Sequence, residues 1–144
     1  MLHLKKTAGL ALTVALLAGT SAMAQQRTLV FNTDTSDPAP RAAFDQLIAD
    51  FEAENPDIDV VVNIFDHEGY KTAIRNFLTA DSPDLANWYA GNRMAPFVAA
   101  GQFQDVTDVW DANNLGDALG ATKASMTIDG KQWGVPYTYY QWGI

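Results

Sequence analysis

Three short polar stretches of this sequence carry side chains able to bind hydroxyl groups. The first, TDTSD, contains Asp34, Thr35 and Asp37. The second, DHEG, contains Asp66, His67 and Glu68, and the third, WYAGNR, contains Trp88, Tyr89, Asn92 and Arg93. Carboxylates and asparagine hydrogen-bond to hydroxyls, while aromatic rings cover the C–H faces of a sugar ring, so together these residues suit a neutral polyol. A fourth stretch, WGVPYTYYQWGI, gathers Trp133, Tyr137, Tyr139, Tyr140 and Trp142. Taken alone it reads either as the core of a strand or as a platform for a ligand.

Each candidate also has a plain structural reading. Asp34 and Asp37 can cap a following helix, as can Asp66 and Glu68. Trp88 and Tyr89 alternate if they lie on a strand, so one of them faces a core. Enzymatic readings find less support. His67 is the sole histidine beyond the first 24 residues and there is no cysteine, which excludes His-rich metal sites and His–Cys pairs. No G-x-S-x-G elbow, P-loop or G-x-G-x-x-G motif occurs. Two carboxylates can hydrolyse a glycoside, and Asp66 with Glu68 is the nearest candidate pair. Acid pairs are common by chance in a chain with 17 Asp and Glu, so this pair carries little weight.

The elements that must position these residues follow from hydrophobic spacing. TLVFN (Thr28 to Asn32) is a short β-prone run. Phe44, Leu47, Ile48 and Phe51 fall on one face of a helix from Ala39, which Asn55-Pro56 stops. IDVVVNIF (Ile58 to Phe65) is rich in β-branched residues and apolar on both faces, the pattern of a strand in a sheet covered on both sides. DHEG is expected to be a loop. Tyr70, Ala73, Ile74, Phe77 and Leu78 mark a second amphipathic helix, and LANWYA (Leu85 to Ala90) a third strand. A short helix through Met94, Phe97 and Val98 ends with Gly101 as C-cap. Further helices are expected at Val106 to Asn113 and Leu115 to Ser125. Asp129-Gly130 between β-prone flanks predicts a type I′ hairpin. The order β-α-β-α-β implies an α/β layer fold with parallel strands. In such sheets ligands collect beyond the carboxyl ends of the strands, and that rule selects the first three polar stretches.

The first 24 residues have a different character. Lys5 and Lys6 precede an apolar run from Ala8 to Ala18, followed by small residues at Ala22 and Ala24. This is the pattern of a cleavable export signal, cut after Ala24. The apolar run is too short for a bilayer core, which needs about 20 residues. Removing the signal takes two of the 9 basic residues and none of the 17 acids, so the formal charge moves from −8 to −10. That surface disfavours nucleic acid and anionic lipid. Without cysteine the chain must rely on an ordinary hydrophobic core, and it has no N-terminal cysteine to carry a lipid anchor. Free diffusion in a periplasm is the expected setting.

Several longer stretches resemble a known family when taken together. FEAENPDIDVVV, YKTAIRNFLTADSPDLANWYAGN, FVAAGQFQDVTDVW and IDGKQWGVPYTYYQWGI are similar to the extracellular sugar-binding proteins of ABC transporters. The resemblance implies a periplasmic-binding-protein-like (type II) α/β lobe with a mostly parallel sheet in the order 2-1-3. It implies a second lobe across a cleft that closes on a carbohydrate, delivery to permease subunits in the inner membrane, a monomer, and neither catalysis nor a required cofactor or metal. Family-style contacts would fall on Asp34, Thr35, Asp66, His67, Trp88, Tyr89 and Asn92. After the first strand this chain has NTDTSDPAP where many members have an aromatic-rich turn. The resemblance also implies that DGKQWGVP lies near the crossover to the second lobe, with Tyr137, Tyr139 and Trp142 bordering the cleft. On that basis residues 25–136 form most of a first lobe, 137–144 begin the crossover, and the 144 residues are expected to be an N-terminal fragment that binds sugar only weakly alone.

Overall fold

The computed structural model describes residues 26–138. The expected signal segment, together with Tyr139, Tyr140 and Trp142, lies outside the described residues.

Three parallel strands form the sheet: β1 (Arg27–Thr33), β2 (Ile58–Ile64) and β3 (Leu85–Ala86), in the order β2-β1-β3. β1 is central. It pairs with β2 from Arg27↔Ile58 to Thr33↔Ile64, and with β3 at Phe31↔Leu85 and Asn32↔Ala86. Flanked on both sides, it buries Phe31, Asn32 and Thr33 at its carboxyl end. Carboxylates from neighbouring segments fasten the strands. Glu52 accepts the Val60 amide at 2.7 Å, and Asp84 accepts the Val30 amide at 2.8 Å.

Helix α1 (Pro38–Glu54) follows β1 and ends where Asn55 closes back on Phe51 before Pro56. Its apolar stripe is only partly covered: Phe44 packs on Phe31 with ring centroids 5.8 Å apart, while Leu47 remains 62% exposed. The expected two-sided cover of the second strand is likewise incomplete. Val61 and Ile64 are both exposed and, being of opposite parity, lie on opposite faces. The run is rich in β-branched residues, yet among the described residues β2 has only β1 as a strand neighbour.

Helix α2 (His67–Ala80) buries Tyr70, Ile74 and Leu78 at four-residue spacing against Phe97, with Phe65, Phe77, Trp88 and Phe103 around them. It begins three residues earlier than its apolar pattern suggests, so DHEG is a helix start and not a loop. The cause is Asp66, whose carboxylate accepts the Gly69 amide at 2.9 Å and caps the first turn.

The third strand is shorter than expected, because the chain leaves the sheet after Ala86 and continues without regular structure to a 3-10 turn at Gly91–Arg93. α3 (Ala95–Ala99) follows. Gly101, at φ 69°, lets its own amide reach Val98 and that of Gln102 reach Phe97, closing the helix as the sequence predicts. α4 (Thr107–Ala112) and α5 (Leu115–Lys123) lead to the hairpin of β4 (Thr127–Ile128) and β5 (Lys131–Gln132). Positive φ at both Asp129 and Gly130 makes the connection type I′. Asp105 binds the hairpin to α4: it accepts from the Thr107 amide and hydroxyl and pairs with Lys131 at 2.9 Å. Those bonds, the Thr107 hydroxyl's foremost, pull its carboxyl pKa down to about 2. Trp110 is buried beneath, its indole donating to the Gly134 carbonyl at 2.9 Å.

Candidate functional site

The parallel sheet directs the segments after β1, β2 and β3 to one rim, and Tyr70 locks two of them in place. Its hydroxyl, carried on α2, sits 2.7 Å from the Asn87 carbonyl and 3.0 Å from that of Asn32. One phenolic proton thus serves two backbone oxygens, one at the end of β1 and one just past β3. Burial raises the Tyr70 pKa well above the ordinary phenol range, with the nearby Asp34 charge adding to the effect.

Two side-chain networks stand on this base. In the first, His67 Nδ1 lies 2.8 Å from Asp34 Oδ2, and the Tyr89 hydroxyl lies 3.1 Å from His67 Nε2. Each of the three comes from a different strand end. Arg93 places its guanidinium 4.4 Å from the centre of the Tyr89 ring, a cation–π contact. In the second network the Asn87 side-chain amide nitrogen lies 2.7 Å from the Tyr137 hydroxyl, 3.0 Å from Thr33 Oγ1 and 3.3 Å from Thr35 Oγ1. That nitrogen has two protons, so the Tyr137 and Thr33 contacts are the stronger pair. Tyr137 also packs edge-on against Phe44, 5.3 Å between centroids. Beside both networks an open hollow of about 990 Å³ runs from Asp34, Asn87 and Tyr89 to Trp133 and Tyr137.

The candidate residues separate clearly. Asp34, Thr35, His67, Tyr89 and Tyr137 converge on the rim. Asp66 stands next to it, but its carboxylate is committed to the α2 cap. Trp88 packs on Phe97 and Tyr70 with its indole donating to the Arg93 carbonyl at 2.9 Å, and its half-buried ring also lines the hollow. Tyr89 is the member of that aromatic pair that joins the His67 network. Asn92 is exposed in the 3-10 turn and joins neither network. Tyr139 and Trp142 lie outside the described residues. Asn87 was missed because it sits in LANWYA, which reads as strand; Thr33 opens the TDTSD stretch but was not singled out within it. The cue was available: each stands where its strand meets the polar loop.

Of the Asp66–Glu68 pair, Asp66 caps α2. Glu68 is exposed and bonded to Lys71 at 2.9 Å, which lowers its pKa, whereas a general acid needs a raised one. Among the described residues no group of three or more His, Cys, Asp or Glu is placed to hold a metal ion.

Comparison with known proteins gives a consistent picture. The sequence profile of the bacterial extracellular solute-binding proteins matches residues 35–144. No curated protein sequence matches the chain. Among solved structures, the bacterial solute receptor AcbH, described as having an exclusive substrate preference for β-D-galactopyranose, is 32% identical with a TM-score of 0.65. A protein studied for xylan utilization by Caldanaerobius polysaccharolyticus is 25% identical with a TM-score of 0.70. CpMnBP1, solved with mannotriose bound, shares the fold at 17% identity and a TM-score of 0.65. The alignments cover 75%, 76% and 77% of this chain, but only 27%, 28% and 28% of the respective solved chains.

Proposed function

Because the chain belongs to the bacterial extracellular solute-binding protein family, we propose that it is a sugar-binding component of an ABC importer. In this reading the rim formed by Asp34, Thr35, His67, Asn87, Tyr89 and Tyr137 is one wall of the ligand cleft. Residues 25–136 form the lobe that carries most of this wall, and residues 137–144, Tyr137 included, begin the crossover toward a second lobe. The protein works in the periplasm as a monomer, exported by a signal cleaved after Ala24, and its macromolecular partner is a membrane permease. Sugar bound between two walls favours a closed shape, and that shape is what the permease would recognise.

The observation that carries the proposal is the meeting of three strand ends at Asp34, His67 and Tyr89, linked by contacts of 2.8 and 3.1 Å. Carboxylate, imidazole and phenol groups at one rim, next to an open hollow, offer both hydrogen-bond partners and ring faces. The sugar receptors among the structural neighbours support a carbohydrate as the ligand.

Isothermal titration with D-galactose, xylotriose and mannotriose tests this. A single wall leaves half the sugar hydrated, so the 144-residue chain should bind at least one of them with a dissociation constant on the order of a millimolar. The sugar should be recovered unchanged. Absence of binding to any of the three, or release of new reducing ends, would refute the proposal.

A further inference from the structure

The Asp34–His67–Tyr89 line has a polarity that its chemistry fixes. An ionised carboxylate can only accept hydrogen bonds, so at 2.8 Å His67 Nδ1 must carry the proton. In a neutral imidazole Nε2 is then bare, and it accepts the Tyr89 phenolic proton across 3.1 Å. The Tyr89 oxygen has already given up its only proton, so it has just lone pairs left for anything arriving at the rim. If His67 gains a second proton, Nε2 becomes a donor, the tyrosine oxygen accepts, and the phenolic proton turns outward.

We propose that His67 is a positioning residue that sets Tyr89 as a hydrogen-bond acceptor toward ligand when neutral and as a donor when protonated. Resting on the sugar-binding reading above, this deepens it: at neutral pH the ligand group beside Tyr89 is a hydroxyl that donates, and a group that can only accept, such as an ether oxygen, is disfavoured there. The charges facing His67 come from several elements. Asp34 contacts it from the segment after β1, and Asp66 and Glu68 flank it in sequence. Lys71, one turn along α2, is bonded to Glu68, and Arg93 lies over the Tyr89 ring from the 3-10 turn. His67 keeps 49% of its side-chain surface exposed, so protons reach it without a conformational change.

Nitrogen NMR of the full chain labelled with ¹⁵N-histidine tests the proposal directly, with His67→Gln used to separate the His3 signal. In its neutral form His67 should show a protonated Nδ1 and a bare Nε2. A proton on Nε2, or an averaged mixture of the two tautomers, would overturn the proposal. Tyr89→Phe should leave the proton on Nδ1, because Asp34 still holds it, and movement of the proton to Nε2 would contradict that. As His67 titrates, the Tyr89 Cζ resonance should follow it in wild type and stay flat in His67→Gln; a Tyr89 signal indifferent to the titration would also overturn the proposal. These readouts contain no sugar, so failure to bind sugar would refute the proposed function, and a wrong tautomer would refute this inference alone.

Discussion

Tyr70 shows how much of the rim depends on single atoms. Its side chain is 1% exposed, and its hydroxyl is held between the Asn32 and Asn87 carbonyls. Tyr70→Phe keeps the ring packing and takes a donor from both carbonyls, of which Asn32's still accepts the Asn87 amide at 3.2 Å. We expect a loss of about 1–3 kcal/mol of stability, read from the urea midpoint. A second residue-level case is the α2 cap. A Cβ on Gly69 would stand 2.6 Å from Asp66 Oδ2, so Gly69→Ala must displace the capping carboxylate. It should therefore destabilise the wild type. In an Asp66→Ala background, already weakened by about 1 kcal/mol, the same change should stabilise by up to about 1 kcal/mol through helix propensity. Additive effects in this double-mutant cycle would contradict the cap. At this scale sequence pattern disclosed residue types well and their duties poorly. Asp66 and Asp34 read alike as acids near helix starts, and only geometry shows that one caps α2 while the other holds His67.

Elements were more legible than single residues. The α1 stripe, the β-branched run of β2, the glycine closure of α3 and the Asp129-Gly130 hairpin all follow from local spacing, because each is determined by neighbours within about one turn. The start of α2 and the end of β3 did not follow. The former is set by a side-chain cap and the latter by pairing with β1, and neither interaction leaves a periodic trace. The central place of β1 was available only through family resemblance. The hairpin's attachment to α4 gives an element-scale prediction. Asp105 has a folded pKa of about 2, below its ordinary 3.8, so its anion is favoured by the fold. Its contribution is fully present above the ordinary value and disappears as pH falls through about 2. Asp105→Asn should accordingly be less stable than wild type at neutral pH, with the gap between their urea midpoints closing as the solution is acidified through that window. A gap independent of pH would mean that the carboxylate charge plays no part in holding the hairpin.

For the whole molecule, the parallel order β2-β1-β3 has one functional consequence. It sends three chain segments to the same end of the sheet, and a different strand direction would scatter Asp34, His67 and Tyr89 over two ends. The incompletely covered stripe of α1 and the exposed residues of β2 belong to the same architecture, since a three-stranded sheet offers too little surface to bury both faces. Amide NMR mapping during titration with D-galactose and xylotriose addresses the central claim most directly, because it detects weak binding and locates it. The account predicts that shift changes concentrate at residues 33–37, 66–70 and 87–93 and at Tyr137. Changes confined to the opposite end of the sheet, at residues 26–28 and 57–58, or no changes at sugar concentrations well above a millimolar, would contradict it.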